Sequence, residues 1–201
     1  MEVQKLIENA LEGLRSFLHD RLVSRDLRQQ KTGKLLAYWL IDYVRFLRRE
    51  SSVHSYRVYK RGSVVKVHLG FRIGSEEGGL HYAIVITPND SKKSSTLVVI
   101  PLTSLKTADK VNHLHFGEIF LGSELLQKLL NKTQASCSEE LVKEIAKLKW
   151  GSIALANQIV TISKLRIYDP VNSKSPLHGI RLGSESMDLI DAKLKQCLFN
   201  A

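Results

Sequence analysis

The 201-residue chain predicts an α+β fold in which two helices precede a small, strand-rich barrel and one helix follows it. Three observations carry that prediction. Apolar residues recur at three- and four-residue steps over residues 1–50, the period of one helical face. Beyond Ser51 the period becomes two, the signature of half-buried strands. These strands are short and are punctuated by Gly and Pro, which favours a barrel over a doubly wound sheet. No Gly-x-Gly-x-x-Gly follows a strand and no Gly-x-x-x-x-Gly-Lys-Ser/Thr occurs, so a nucleotide-binding α/β fold has no support.

Taken in order, Val3, Leu6, Ile7, Ala10, Leu11, Leu14 and Leu18 form the stripe of a first helix. Leu35, Leu36, Trp39, Leu40, Tyr43, Phe46 and Leu47 form that of a second, with its start expected at Thr32 or Gly33. The basic stretch Arg21 to Lys34 between them reads as a turn with frayed helix ends. Two amphipathic helices bury both stripes only by packing on each other, on the rest of the chain or on a second subunit. Val65, Val67 and Leu69 alternate with Lys66 and His68 as a strand, and a Gly-rich loop runs from Gly70 to Gly79. Ala83–Ile86 and Leu97–Ile100 are continuous apolar strands, separated by the turn signal Pro88-Asn89-Asp90-Ser91. Val111 to Phe120 alternates weakly, as a further strand would. Between 123 and 149 the pattern turns helical, with Leu125, Leu126, Leu129 and Leu130, then a Ser136-x-x-Glu139 capping box before Leu141, Ile145 and Leu148. Strand character returns at Ser152–Ala156 and Gln158–Ile162, Ser163–Arg166 begins a turn or short strand, and Ser184–Leu198 is a terminal helix. The expected organisation is a helical extension over 1–50, a barrel with a helical insertion over 51–168, and a C-terminal tail and helix over 169–201.

Thirty Lys and Arg against twenty Asp and Glu give a net charge of +10, which favours a polyanionic partner through counterion release. Cys137 and Cys197 make no disulfide framework, and no Cys-x-x-Cys offers a zinc site. The N-terminus lacks the apolar core of a signal peptide, and no run approaches the roughly 18–20 apolar residues that span a bilayer. A soluble, cytoplasmic protein with no membrane association is expected.

Two separated blocks carry a more specific likeness. The first runs from Lys60-Arg61-Gly62-Ser63-Val64-Val65-Lys66-Val67 through Gly74-Ser75-Glu76 and Gly78-Gly79-Leu80-His81-Tyr82 to Ile86, followed by Leu97–Ser104. The second is Ser152-Ile153-Ala154-Leu155-Ala156-Asn157-Gln158-Ile159-Val160-Thr161-Ile162-Ser163-Lys164-Leu165-Arg166. Together they resemble the PemK/MazF toxin family: its opening strands, its Gly-Ser-Glu loop and its Gln-Ile-x-Thr-Ile-x-Lys-x-Arg signature. The resemblance covers about half of the chain and implies a small SH3-like β-barrel. It implies a metal-independent, cofactor-free endoribonuclease that cuts single-stranded RNA by attack of the ribose 2′-hydroxyl on phosphate. It also implies a homodimer and an antitoxin partner whose tail occupies the RNA groove.

By that resemblance the catalytic candidates are His81, Thr103 and Ser75. His81 stands where the family has an arginine. Arginine is a fixed cation, whereas histidine, with a reference pKa of about 6.5, gives or takes a proton at neutral pH. His81 either replaces the arginine as acid or base, or marks a barrel that binds RNA or protein without cutting. A strand histidine bonded locally is the plainer reading, as a strand-end residue is for Thr103 and a turn residue for Ser75. The cations expected at RNA are Arg72, Lys106, Lys60, Arg61, Lys164 and Arg166, although Lys164, with Gln158, also suits a role in stabilising the barrel. Glu76 and Glu77 read as acceptors that order the loop. Arg45, Arg48, Arg49 and Arg57 cluster with Lys60 and Arg61 in sequence, a solvated face unless they converge in space. His113 and His115 would share one face of a strand, but no third metal ligand stands at a suitable spacing.

Overall fold

A computed structural model describes residues 2–133, 142 and 145–199. Cys137, Leu141 and the Ser136–Glu139 capping box lie outside the described residues. The chain divides into two compact units, Met1–Ser52 and Val53–Ala201.

The first unit is a helical pair, α1 (Glu2–Val23) and α2 (Leu27–Glu50), packed on each other. The second helix starts earlier than Thr32. Asp26 caps it by accepting the backbone N–H of Arg28 at 2.8 Å, and the stretch Leu27–Lys31 that follows consists of good helix formers. Gly33, inside the helix, is instead a point of close approach. A Cβ there would lie 2.7 Å from the Arg21 Cβ. Val3, Leu6, Leu11, Ile41 and Leu47 are all exposed.

The second unit is built on a sheet of seven antiparallel strands: β1 (Val64–His68), β2 (Leu80–Val85), β3 (Thr96–Ser104), β4 (Glu118–Phe120), β5 (Ser152–Leu155), β6 (Val160–Ser163) and β7 (Ile167–Asp169). Their order is β4-β5-β3-β2-β1-β7, with β6 also on β3. The long strand β3 makes this possible. Residues 96–99 hold β6, and residues 102–104 hold β5. A single 3₁₀ turn, Lys164–Arg166, then carries the chain from β6 on β3 to β7 on β1. The sheet thus curls into a small barrel, closed covalently at that turn.

The central strands are buried on both faces, which explains their continuous apolar runs. Val65, Val67, Ala83, Val85, Leu97, Val99 and Ile162 fill the barrel. Val64, Ile84, Ile100 and Leu102 point the other way, into a core covered by α3 (Glu124–Thr133), Ile180, Leu182 and α4 (Ser184–Phe199). The expected strand over Val111–Phe120 is mostly not a strand. Ala108–His113 is 3₁₀, and only Glu118–Phe120 pairs. Between them Glu118 folds the chain back, its carboxylate accepting the His115 N–H at 3.0 Å. No described helix is long and apolar enough to cross a membrane.

Candidate active site

The loop between β1 and β2 is sealed at its base. Leu69 N–H donates to Gly79 O at 2.7 Å, and Gly79 N–H donates to Gly70 O at 2.8 Å. Gly74 and Gly79 adopt φ of +62° and +85°, a region side chains disfavour, so glycine is required for this path. Gln158, in the 3₁₀ turn after β5, clips the loop from the other side. Its Oε1 accepts the Glu77 N–H at 3.2 Å, and its Nε2 donates to Ser75 O at 3.2 Å. The signature glutamine therefore orders the Gly-Ser-Glu loop directly.

Where the loop enters β2, Glu77 meets His81. Their side chains lie 2.9 Å apart at His81 Nε2, and His81 Nδ1 lies 3.3 Å from Leu102 O. The Glu77 hydrogen bond, opposed by burial, raises the His81 pKa above its ordinary value. The same bond lowers that of Glu77, with the nearby Lys106 charge adding to the effect. The arrangement favours the imidazolium form, held between a carboxylate and a carbonyl.

His81 lines a cleft of about 240 Å³ together with Thr103, Ser104, Tyr82, Lys66 and Lys147. Tyr82 pairs with both Lys66 and Leu102, which puts these three on one face of the sheet, whereas His81, opposite Val67, and Thr103 belong to the other face and line the cleft where β2 begins and β3 ends. The cleft combines a proton-carrying ring, a hydroxyl and two ammonium groups, a set suited to an anionic, hydroxyl-bearing substrate.

The other predicted residues are distributed around this centre. Ser75 is exposed on the loop and does not line the cleft. Lys106 is exposed and close enough to act on Glu77. Arg72 braces the loop, donating to Leu69 O at 2.8 Å and pairing with Glu76 at 3.5 Å. Arg166 donates to His68 O at 2.8 Å. Lys164 is buried, its ammonium bonded to Asp90 at 2.6 Å and to Ser91 O at 3.0 Å, a placement that suits barrel closure. Arg61 pairs with Asp191 of α4, and Lys60 is exposed at a separate concavity. Lys66 and Lys147 were not anticipated. The alternation of β1 puts Lys66 on the face of Val64, but the cleft it enters is formed by residues distant in sequence. His113 ends a 3₁₀ turn instead of sharing a strand face with His115, and no group of three potential metal ligands occurs among the described residues.

Comparison with known proteins follows the same lines. Curated protein sequences return no match. Among solved structures, the chain is similar to a crystal structure of MazF (Form-I) from Deinococcus radiodurans, at 16% identity and a TM-score of 0.43, covering 71% of this chain and 97% of that one. The model of the PemK-like, MazF-like toxins of type II toxin-antitoxin systems matches residues 60–198, which takes in the loop, the cleft, the closing turn and α4. The chain belongs to that toxin family.

Proposed function

We propose that this protein is an endoribonuclease toxin that cleaves single-stranded RNA without a metal ion. The observation that carries the reading is the Glu77–His81 pair opening on the cleft that also holds Thr103 and Lys66. In the reaction the ribose 2′-oxygen attacks the adjacent phosphorus and the bond to the 5′-oxygen breaks. The 2′-hydroxyl proton leaves to solvent. His81, whose charged form Glu77 favours, delivers a proton to the departing 5′-oxygen. Glu77, whose lowered pKa makes it a poor base, orients the ring and keeps it charged. Thr103 and the ammonium groups of Lys66 and Lys147 stabilise the charge that develops on the phosphorane. The products are a cyclic phosphate and a free 5′-hydroxyl.

The protein would act in the cytoplasm as a homodimer, restrained by an antitoxin whose tail covers the RNA groove. A second reading has one observation in its favour: both ring nitrogens of His81 already have partners. Under that reading the barrel binds RNA or protein and cuts nothing. Incubation of purified protein with mixed-sequence single-stranded RNA in EDTA separates the two. Cyclic phosphate and 5′-hydroxyl ends are expected, and intact RNA that stays bound would establish the second reading.

A further inference from the structure

A second concavity lies beside the His81 cleft, on the same outward face of β1. Val64 lines one and Lys66 the other, and alternate residues of a strand share a face. This second site has a volume of about 350 Å³, with Arg57, Lys60, His178 and Arg181 around Tyr59 and Ile180. Its basic groups are organised. The Arg57 guanidinium lies 5.8 Å from the centre of the Tyr59 ring and bonds to His178 Nδ1. Its Nε is buried without a hydrogen-bond partner. No carboxylate pairs with Arg57 among the described residues. The Arg181 guanidinium donates to Arg61 O at 2.8 Å and remains exposed.

The site continues into a wider hollow that shares His178 and Arg181 and adds Lys128 and Lys132 from α3. Lys132 donates to His178 O. The link back to His81 runs through Asp169. Lys66 of the His81 cleft faces Asp169 across the β1–β7 ladder, and the charges of Lys66 and Lys132 both act on its buried carboxylate. A line of positive groups therefore runs from Lys66 of the His81 cleft through Lys132 to Arg57, Arg181 and Lys60, with His178 among them. Acidic groups near it include Asp169, itself flanked by two lysines, Glu124, which pairs with Lys128 at 3.1 Å, and Asp191, which pairs with Arg61.

We infer that this line is a phosphate track for single-stranded RNA, holding backbone phosphates to one side of the bond cut at His81. The inference rests on the RNA-cleaving reading of the His81 cleft. The track offers ammonium and guanidinium groups, while the nearby Tyr59 ring is buried and gives no stacking surface. It contributes affinity through counterion release and little sequence preference.

The test uses RNA that cannot be cut, so its outcome does not depend on catalysis. Fluorescent 2′-O-methyl oligonucleotides, a tetramer and a dodecamer, are titrated by anisotropy over a salt series. The variant combines Lys60→Gln, Lys132→Gln and Arg181→Gln, three exposed side chains, with its melting temperature as the check on folding. Dodecamer affinity should fall at least about tenfold and the log–log salt slope by about 2, three contacts at roughly 0.7 each. Tetramer affinity should hold. An unchanged dodecamer affinity and slope, equal weakening of both oligonucleotides, or no dodecamer binding by the parent protein would each overturn the track. Absence of RNA cleavage by the parent protein, with the dodecamer result as expected, would count against the His81 reading and leave the track standing.

Discussion

Two cation–carboxylate pairs sit on the family's motif residues, one in the closing turn and one in the rim loop. Lys164–Asp90 spans 2.6 Å, with side chains 2% and 0% exposed. His81–Glu77 spans 2.9 Å, with side chains 26% and 27% exposed. Asp90 also accepts the Tyr59 N–H at 2.8 Å and the Ser91 N–H at 2.8 Å, so one carboxylate ties the Tyr59 segment and its own turn to the closing turn. Glu77 contacts a ring at the edge of a cleft. Burial makes the first pair a structural lock, because a buried charge that loses its partner is strongly penalised. Partial exposure leaves the second able to exchange protons and meet a substrate.

That contrast can be broken at either pair, and the largest effect is expected at the lock. Lys164→Ala leaves the Asp90 carboxylate buried and unpaired, and should cost about 3–5 kcal/mol in chemical denaturation. A loss below about 1 kcal/mol would mean that the pair is no lock. At the rim, Glu77→Gln removes the charge that favours the imidazolium. The His81 pKa should fall toward about 6.5 in an NMR titration. The stability consequence has a defined sign. A raised His81 pKa contributes fully below about 6.5 and is lost as pH rises through the folded value. The lowered Glu77 pKa contributes above its ordinary 4.5 and is lost as pH falls through the folded value. The stability advantage of the parent over Glu77→Gln should therefore peak between these limits and shrink on both sides. The smallest effect is expected from Gln158→Ala. It frees the rim loop at two hydrogen bonds and should slow cleavage severalfold, with stability changed by about 1 kcal/mol each at most. A purely structural glutamine would lower the melting temperature and leave the rate intact.

Much of the barrel was legible because its strands are simple signals. Ala83–Ile86 and Leu97–Ile100 read as continuous apolar strands; β2 ends at Val85, and Ala83–Val85, Leu97, Val99 and Ile100 are buried in the cores on the two faces. Helix and turn limits were less legible where local chemistry competes. The charge of Arg21–Lys34 suggested a turn, yet a single Asp26 cap suffices to start α2 within it. At the site, His81 and Thr103 were found through the motif, and the strand register brings them to one rim. Lys66 could not be found that way, since its cleft is assembled by tertiary packing. Lys164 shows the converse: positive charge suggested a phosphate contact, and only the fold reveals Asp90 opposite it. Gln158 was read as a support of the barrel, but its partners lie in the rim loop, which links the two motif blocks physically.

The most direct test of the account compares the parent protein and His81→Ala on one defined single-stranded RNA in EDTA, with rates and melting temperatures measured together. The account predicts a rate loss of about 100-fold or more, as expected for removal of a proton donor, with stability changed by no more than about 1 kcal/mol. Equal cleavage by both proteins, or a rate loss matched by loss of folding, would contradict it.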